Sequence, residues 1–255
     1  MKHTDSSSPS AAPLPRSGLA RALSKRGYCS RRAAVGIIKA GRVSVDGNIE
    51  HNPEAPTTAA SQIAVDGRSL AAMAAVYLML NKPRGLVTTT ADEHARDTVY
   101  RCLEGAALPW LAPVGRLDKA SEGLLLMTND TAWAARITAP EAGVRKIYHL
   151  QIDRVPDEAL IKSVLAGVDL EDATRLSVLD AGVLRVGERR GWIEVTLDEG
   201  RNRHLRRLLA ALRIEVIRLV RVAIGPLTLG DLAKGAWRPL SADEVAALGA
   251  QSPAA

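Results

Sequence analysis

The sequence predicts an α+β protein with a small N-terminal helix-helix-strands domain, followed by a larger domain built on a mixed, largely antiparallel sheet. Strand-like runs of aliphatic residues dominate the chain from residue 76 onward. The helical stretches between them do not alternate regularly with the strands, as they would in a doubly wound parallel sheet. With 255 residues, of which 47% are hydrophobic, the chain is long enough to bury a sizeable core.

The first domain is predicted over residues 16–67 from helix caps and turn residues. Apolar residues at helical spacing predict a first helix, and Ser30 is suited to cap a second helix that ends before Gly41. The Asp-Gly pairs at 46–47 and 66–67 each follow a short alternating run, which predicts tight turns between strands. The segment is therefore predicted to form two helices followed by short hairpins.

The larger domain is predicted from its apolar runs. Seven of them predict strands at 76–80, 86–90, 124–128, 147–152, 176–186, 192–197 and 216–224. Three amphipathic stretches predict helices at 130–137, 156–165 and 202–212. The whole chain then divides into a flexible tail (1–15), the small domain (16–67), a linker (68–75), the large domain (76–245) and a C-terminal tail (246–255).

Composition limits the classes of partner and cofactor. The formal net charge of +6 favours a polyanionic partner. Cys29 and Cys102 stand far apart, and the five histidines show no ligand spacing, so we expect neither a disulfide framework nor a metal site. The chain lacks an apolar signal core and a run long enough to span a bilayer. We therefore expect a cytoplasmic protein without membrane contact, and a monomer by default.

Positive charge is concentrated at the N-terminal end. Residues 16–42 contain eight basic residues and no acidic one. Arg31 and Arg32 open the second predicted helix, where the helix dipole also favours a phosphate; the alternative is an ordinary solvated face. Only 3% of residues are aromatic, so we expect recognition of backbone and shape rather than of base sequence. The candidate RNA-binding residues are Lys25, Arg26, Arg31, Arg32, Lys39 and Arg42.

A second constellation points to catalysis. Gly115-Arg116-Leu117-Asp118 precedes the apolar run that begins at Gly123, which places a carboxylate at the mouth of a buried strand. A basic block follows at 199–207. Together they predict a catalytic acid inside a phosphate-binding surface, although an isolated aspartate after Arg-Leu is more often a turn former.

Two resemblances cover residues 17–245. Residues 17–67 resemble the alpha-L RNA-binding domain, which is shared with a small-subunit ribosomal protein and tyrosyl-tRNA synthetases, most clearly at Tyr28 to Arg32 and Ile38 to Gly47. The remainder resembles the ribosomal RNA pseudouridine synthases that carry this module. Five motifs occur in the order of that family: 80–85, 115–118 with 123–130, 146–148, 199–207 and 218–225.

The resemblance implies a catalytic domain of pseudouridine synthase type that isomerises uridine in ribosomal RNA without a cofactor. It implies Asp118 as nucleophile or base, Tyr148 as proton acceptor or stacking partner, and Arg206 as the ion pair partner of Asp118. A buried aspartate needs such a cation to stay ionised. Arg116 is a rival for the ion pair, and in the family pattern it helps to extrude the base. The further substrate-binding candidates are Leu219, Lys82, Arg201, Arg203 and His204.

The implied partner is ribosomal RNA or a pre-ribosomal particle, and the arginine motif favours the large subunit. Many relatives have Gln where His204 stands, which leaves the choice of target uridine open. The main alternative is a non-catalytic ribosomal RNA-binding assembly factor. A DNA-binding regulator would leave the large domain unexplained, and a metal-dependent nuclease would need clustered carboxylates.

Overall fold

The computed structural model describes residues 17–71, 73–89 and 97–250. The chain folds into two compact units, Met1–Ala74 and Ala75–Ala255. We call them the first and the second unit. None of the helices in the described residues is long and apolar enough to cross a bilayer.

The described residues of the first unit form two helices and six short strands. In chain order they are β1 (Ser17–Gly18), α1 (Leu19–Lys25), α2 (Arg31–Lys39), β2 (Val43–Val45), β3 (Asn48–Ile49), β4 (Pro56–Thr57), β5 (Ile63–Val65) and β6 (Arg68–Ser69). The strand order of its sheet is β3-β2-β5-β6, while β1 pairs with β4. Leu23 of α1 and Ile38 of α2 share one buried core with Val43 and Ile63 of the sheet.

Local signals in the first unit are confirmed by its geometry. The Ser30 hydroxyl accepts a hydrogen bond from the Ala33 amide at 3.1 Å and so caps α2. Both residues of each Asp-Gly pair have positive φ, between 50° and 87°, as a type I′ turn requires. One correction concerns the linker, which was expected to begin at residue 68. Residues 68 and 69 instead form β6 and pair with β5.

The second unit is built on one nine-stranded sheet. Its helices and strands are, in chain order, β7 (Tyr77–Lys82), β8 (Ala112–Val114), β9 (Glu122–Thr128), α3 (Thr131–Thr138), β10 (Lys146–Ile152), α4 (Glu158–Ala166), β11 (Val168–Asp169), β12 (Arg175–Leu176), β13 (Asp180–Val186), β14 (Gly191–Leu197), α5 (His204–Ala211), β15 (Val216–Ile224), β16 (Leu227–Thr228), β17 (Trp237–Pro239) and α6 (Ala242–Gly249). Two 3-10 turns lie at Val99–Leu103 and Pro140–Ala142.

The sheet is mixed and largely antiparallel, as the sequence predicts. Its main path is β13-β14-β10-β15-β9-β7-β17, with β8 on β9 and β16 on β15. Only the β15–β9 pair is parallel among the described strands. The small β11–β12 pair lies outside this sheet.

Strand β9 lies between two hydrophobic cores. Leu125 and Met127 belong to a core shared with α4 and α5, whereas Leu124 and Leu126 belong to a core shared with α3 and α6. A strand covered on both faces has no polar face, which explains its continuous apolar run. The loop that carries Asp118 enters this strand directly, so the strand gives the loop a rigid support.

Three expectations for the second unit differ from the structure, which also forms β8, β11, β16, β17 and α6 where no helix or strand was expected. The strand expected at 86–90 is not formed over 86–89, where Val87 makes only an isolated bridge to Thr98; residue 90 lies outside the described part. The run 176–186 divides into β12, which ends at Leu176, and β13, which begins at Asp180; between them the Ser177 carbonyl accepts from the His204 side chain. The tail expected from residue 246 begins inside α6.

Candidate active site

A cleft of about 390 Å³ opens beside the loop before β9 and the start of α5. This volume falls within the roughly 300–1,000 Å³ typical of ligand-binding clefts. Eight of the nine catalytic and substrate-binding residues expected from the sequence line it: Arg116, Asp118, Tyr148, Arg201, Arg203, His204, Arg206 and Leu219. Residues from distant parts of the chain therefore converge on one cavity.

The loop from Leu117 to Ser121 is held by its own carbonyl groups. Five successive carbonyl oxygens accept hydrogen bonds, in order from the Thr88 hydroxyl, the Ser121 amide, the Gly85 amide, the Arg206 guanidinium and the Lys82 ammonium. The donor–acceptor distances lie between 2.8 and 3.1 Å. A loop fixed at every carbonyl presents the Asp118 side chain in a preorganised position.

Lys82 lies beneath this loop and not in the cleft. The residue is 0% exposed, and its ammonium donates to the carbonyls of Ser121, Asp118 and Pro83 at 2.8, 3.2 and 3.1 Å. Burial lowers the pKa of Lys82 to about 8, while the nearby carboxylates of Glu122 and Asp118 oppose that shift. The structure therefore places this residue in support of the loop, which differs from the substrate contact expected from its motif.

The Asp118 carboxylate is partly open to solvent. Its side chain is 36% exposed, and Arg203 Nη1 lies 4.0 Å from Asp118 Oδ2. An ion pair at this distance between two partly exposed side chains contributes little to the position of the carboxylate. Within the described residues, this is the ion pair that Asp118 makes.

Arg206 connects the loop to the sheet. Its Nη2 donates to the Ala120 carbonyl at 3.1 Å and its Nη1 to the Val216 carbonyl at 2.9 Å. Burial lowers the pKa of Arg206, the neighbouring Arg203 lowers it further, and Asp118 raises it. Among the residues that the structure describes, Arg206 and Asp118 therefore do not form the ion pair implied by the resemblance, because their charged groups are not within 4.0 Å of each other. Their charges interact only over a longer distance.

Tyr148 and Leu219 form an apolar wall of the cleft. They lie on the neighbouring strands β10 and β15 and are 8% and 6% exposed. Both belong to the core that α5 covers. A planar, apolar wall beside a carboxylate suits a planar base.

His204 is held at the start of α5. It is 4% exposed, its Nε2 lies 2.9 Å from the Ser177 carbonyl, and its Nδ1 lies 3.5 Å from Glu199 Oε1. Burial lowers the pKa of His204, whereas the Glu199 carboxylate and the hydrogen bond to Ser177 oppose that shift. Glu199 also accepts from Arg201 at 2.9 Å. These contacts fix the basic block at the rim of the cleft.

Lys146 and Arg221 also line the cleft, although neither was among the site residues expected from the sequence. Lys146 donates to the Asp198 carbonyl at 2.7 Å, and Arg221, 5% exposed, donates through Nε to the Leu124 carbonyl at 2.8 Å. Burial and the neighbouring Arg221 lower the pKa of Lys146. The sequence did hold a signal for these two residues, because alternate residues of a strand lie on the same face of the sheet. Lys146 is two residues from Tyr148, and Arg221 is two residues from Leu219.

Comparison with known proteins identifies the second unit. Residues 76–211 match the sequence family described as RNA pseudouridylate synthase. A Mycobacterium tuberculosis protein named as an RNA pseudouridine synthase is 39% identical over 90% of this chain and 92% of its own length. The chain belongs to the RNA pseudouridine synthase family. It is therefore an isomerase that acts on uridine in RNA.

Two further relatives place this pseudouridine synthase among known sequences and folds. The Bacillus subtilis protein named ribosomal large subunit pseudouridine synthase B is 32% identical over 89% of this chain and 93% of its own length. A crystal structure titled as a pseudouridylate synthase aligns with a TM-score of 0.63 and 26% identity, covering 91% of this chain and 99% of that one. The α+β fold with its mixed, largely antiparallel sheet is thus that of a pseudouridine synthase.

The basic residues expected to bind RNA in the first unit of this synthase fall into two groups. Lys25, Arg31, Arg32 and Lys39 are exposed. Arg26 donates to the carbonyls of Leu70 and Ser61, both at 2.7 Å, and Arg42, which is also exposed, forms an ion pair with Asp66 at 2.5 Å. Arg26 and Arg42 therefore also contribute to the structure of the unit itself.

Across residues 17–71, 73–89 and 97–250, no three His, Cys, Asp or Glu side chains are grouped in a way that could hold a metal ion. The cleft combines the Asp118 carboxylate on its fixed loop with an apolar wall and several cations, and Asp198 and Glu199 also line it.

Proposed function

We propose that this synthase isomerises uridine in ribosomal RNA and that Asp118 is its catalytic group. The observation that carries the proposal is the position of Asp118, in the cleft and on a loop whose five successive carbonyls are fixed by hydrogen bonds. Large-subunit RNA is the first candidate substrate, because a relative with 32% identity is named for that subunit.

The isomerisation breaks the bond between ribose C1′ and N1 of uracil, turns the base and joins C1′ to C5. The proton on C5 leaves and N1 gains one, so atoms balance without a co-reactant. The Asp118 carboxylate acts as nucleophile or base on the extruded nucleotide. Tyr148 stacks on the base or accepts the C5 proton, and Leu219 packs against the base.

Cations around the cleft complete the proposed mechanism. Arg203 places a positive charge 4.0 Å from the Asp118 carboxylate, and Arg206 holds the loop through Ala120. Arg116, Arg201, Lys146 and Arg221 give the cleft the positive potential that attracts the RNA backbone. Since the reacting atoms of a paired uridine are inaccessible, the nucleotide must leave its helix to reach Asp118.

The first unit would anchor the RNA through its exposed cations. Lys25, Arg31, Arg32 and Lys39 are the residues proposed to contact phosphates. We expect one copy of the chain to bind one RNA, and the mass of the complex in light scattering tests this stoichiometry.

The direct test is to incubate the purified protein with transcripts of small-subunit and large-subunit ribosomal RNA and to map pseudouridine chemically. We expect conversion at a defined uridine of the large-subunit transcript. Conversion in the small-subunit transcript alone would refute the choice of subunit. Tight binding to both transcripts without any pseudouridine would favour the assembly factor and refute the proposed function.

A further inference from the structure

The second unit has another groove on the sheet face that points away from the active-site cleft. Tyr148 and His149 are neighbours on β10 and so lie on opposite faces of the sheet. Tyr148 lines the cleft, whereas His149 lines a separate groove of about 390 Å³. The groove is lined by His149, Leu184, Arg185, Trp192, Arg218, Val220 and Val222, and we call it the Trp192 groove.

An aromatic ring and two guanidinium groups form the centre of this groove. The Cζ atoms of Arg185 and Arg218 each lie 5.4 Å from the centre of the Trp192 ring, within the range of cation–π contacts. Arg218 is held in place by Glu122, whose two carboxylate oxygens accept from it at 3.1 Å. Val220 and Val222 supply an apolar floor.

Charge on this face is positive after its ion pairs are counted. Glu122 contacts both Arg218 and Lys234, and Glu194 contacts His149 at 2.8 Å. The Glu122 carboxylate therefore already has two cationic partners, while Glu194 has a histidine as its partner. Arg185 is exposed, as are Arg189 and Arg190 in the β13–β14 hairpin, and none of the three forms an ion pair within the described ranges. Glu188 is the one acidic residue among positions 185–190.

An aromatic ring and guanidinium groups that line one open groove suit unpaired nucleotides. Bases stack on Trp and on Arg, and the phosphates between them bind free cations. An acidic peptide would match the charge but would make little use of the Trp192 ring. The chain acts on RNA, so an unpaired RNA segment is the occupant that fits both the charge and the ring.

We propose that the Trp192 groove is a second RNA-binding site, which takes an unpaired segment of the substrate RNA outside the active-site cleft. A base of that segment stacks on the Trp192–Arg185 cluster, and its phosphates contact Arg185 and the hairpin arginines. The groove lies on the opposite face from Asp118, so it adds affinity without touching the reacting nucleotide.

The test measures binding of a labelled single-stranded 12-nucleotide oligouridylate and of a duplex of equal length to the full-length protein. Arg185→Glu should weaken oligouridylate binding by about fivefold or more and lower the salt slope of log affinity by ~0.7, the amount for one phosphate that the protein no longer neutralises. Duplex binding should change less. Lys162→Glu on α4 is the matched control, since Lys162 is 79% exposed and undergoes the same change of charge.

Unchanged oligouridylate binding by Arg185→Glu would overturn the proposal. An equal weakening in Lys162→Glu would overturn it too, because the effect would then follow net charge alone. A protein as the occupant of the groove predicts the first of these two results.

A second pair of variants tests the ring. Trp192→Phe keeps a stacking surface and should retain most of the affinity, whereas Trp192→Leu should lose it while unfolding at a similar temperature. Equal affinities of the Phe and Leu variants would contradict a stacking role.

Pseudouridine formation by Arg185→Glu at saturating RNA should remain near wild type. If the wild-type protein makes no pseudouridine, the proposed function is refuted. The proposal for the Trp192 groove is then decided by the oligouridylate binding of the variants.

Discussion

Lys82 shows how one buried charge supports the candidate site. Its ammonium group is removed from water and compensated by three backbone carbonyls, two of which belong to the Asp118 loop. A hydrogen bond from a charged donor contributes about 1.5–3 kcal/mol, and burial of the charge opposes that gain. The lowered pKa of about 8 reflects this opposition. At neutral pH the group is still largely protonated and supplies all three donors.

Replacement of Lys82 by Met should loosen the loop and change how stability depends on pH. Between about pH 8 and 10.5 the unfolded chain still binds the lysine proton that the folded chain has released. The contribution of Lys82 to the unfolding free energy therefore rises with pH between about pH 8 and 10.5. The unfolding free energy of wild type minus that of Lys82→Met should increase between about pH 8 and 10, as measured by urea denaturation. A difference that does not change with pH would contradict the burial of a titrating lysine.

At the scale of elements, the junction between the Asp118 loop and β9 depends on Gly123. Its φ of 102° is in the region that favours glycine, and a Cβ there would lie 2.2 Å from the Arg221 carbonyl oxygen. This close approach lets β9 and β15 pair in parallel beside the loop. The position of Asp118 therefore depends on a residue without a side chain.

Gly123→Ala should lower the unfolding free energy by at least about 2 kcal/mol, since the backbone of β15 would have to move. Gly182→Ala on β13 is the control, because a Cβ there meets no atom within 4 Å. That variant should stay within about 1 kcal/mol of wild type. Urea unfolding of both variants tests the expectation, and equal stabilities would contradict the close packing of β9 on β15.

Most elements follow from local signals, and the exceptions have tertiary causes. Ser30 and the Asp-Gly pairs were predictable because a cap or a turn needs only its own few residues. The segment from Leu86 was not, because an apolar run also suits a buried loop. Thr88 donates to the Leu117 carbonyl, and among the described residues Val87 pairs with 97–99 alone. The segment therefore supports the Asp118 loop rather than extending the sheet.

The residues of the candidate site could be predicted from local motifs, whereas their burial could not. Motifs identified Asp118 and Tyr148, which converge on the cleft. The sequence could not distinguish a lysine beneath a loop from one that faces the substrate, because burial is decided by distant strands. Lys82 and Arg221 are both buried cations, yet only Arg221 lines the cleft.

For the whole molecule, the net charge of +6 and the two units suggest that RNA affinity is divided between separate surfaces. Exposed Arg31 and Arg32 open α2, where cations contribute little to helix stability. Their placement favours a role in binding phosphates. Arg42 forms an ion pair with Asp66, so these two side chains can be removed together without a change of net charge.

Arg31→Ala combined with Arg32→Ala should reduce the slope of log affinity against log salt by about 1.4 to 1.8, because each phosphate that is no longer neutralised accounts for ~0.7 to 0.9. Arg42→Ala combined with Asp66→Ala removes a matched pair and should leave the slope near wild type. Filter binding to ribosomal RNA fragments over a series of salt concentrations gives both slopes. An unchanged slope in the first variant would show that α2 does not bind the RNA backbone.

The central claim is that the Asp118 carboxylate carries out the isomerisation, and Asp118→Asn tests it most directly. We predict that this variant converts uridine in ribosomal RNA at least about a thousandfold more slowly than wild type, with RNA affinity within a few fold. Asp198→Asn, which changes a carboxylate lining the same cleft, should stay active. Pseudouridine formation by Asp118→Asn at a rate close to wild type would contradict the account.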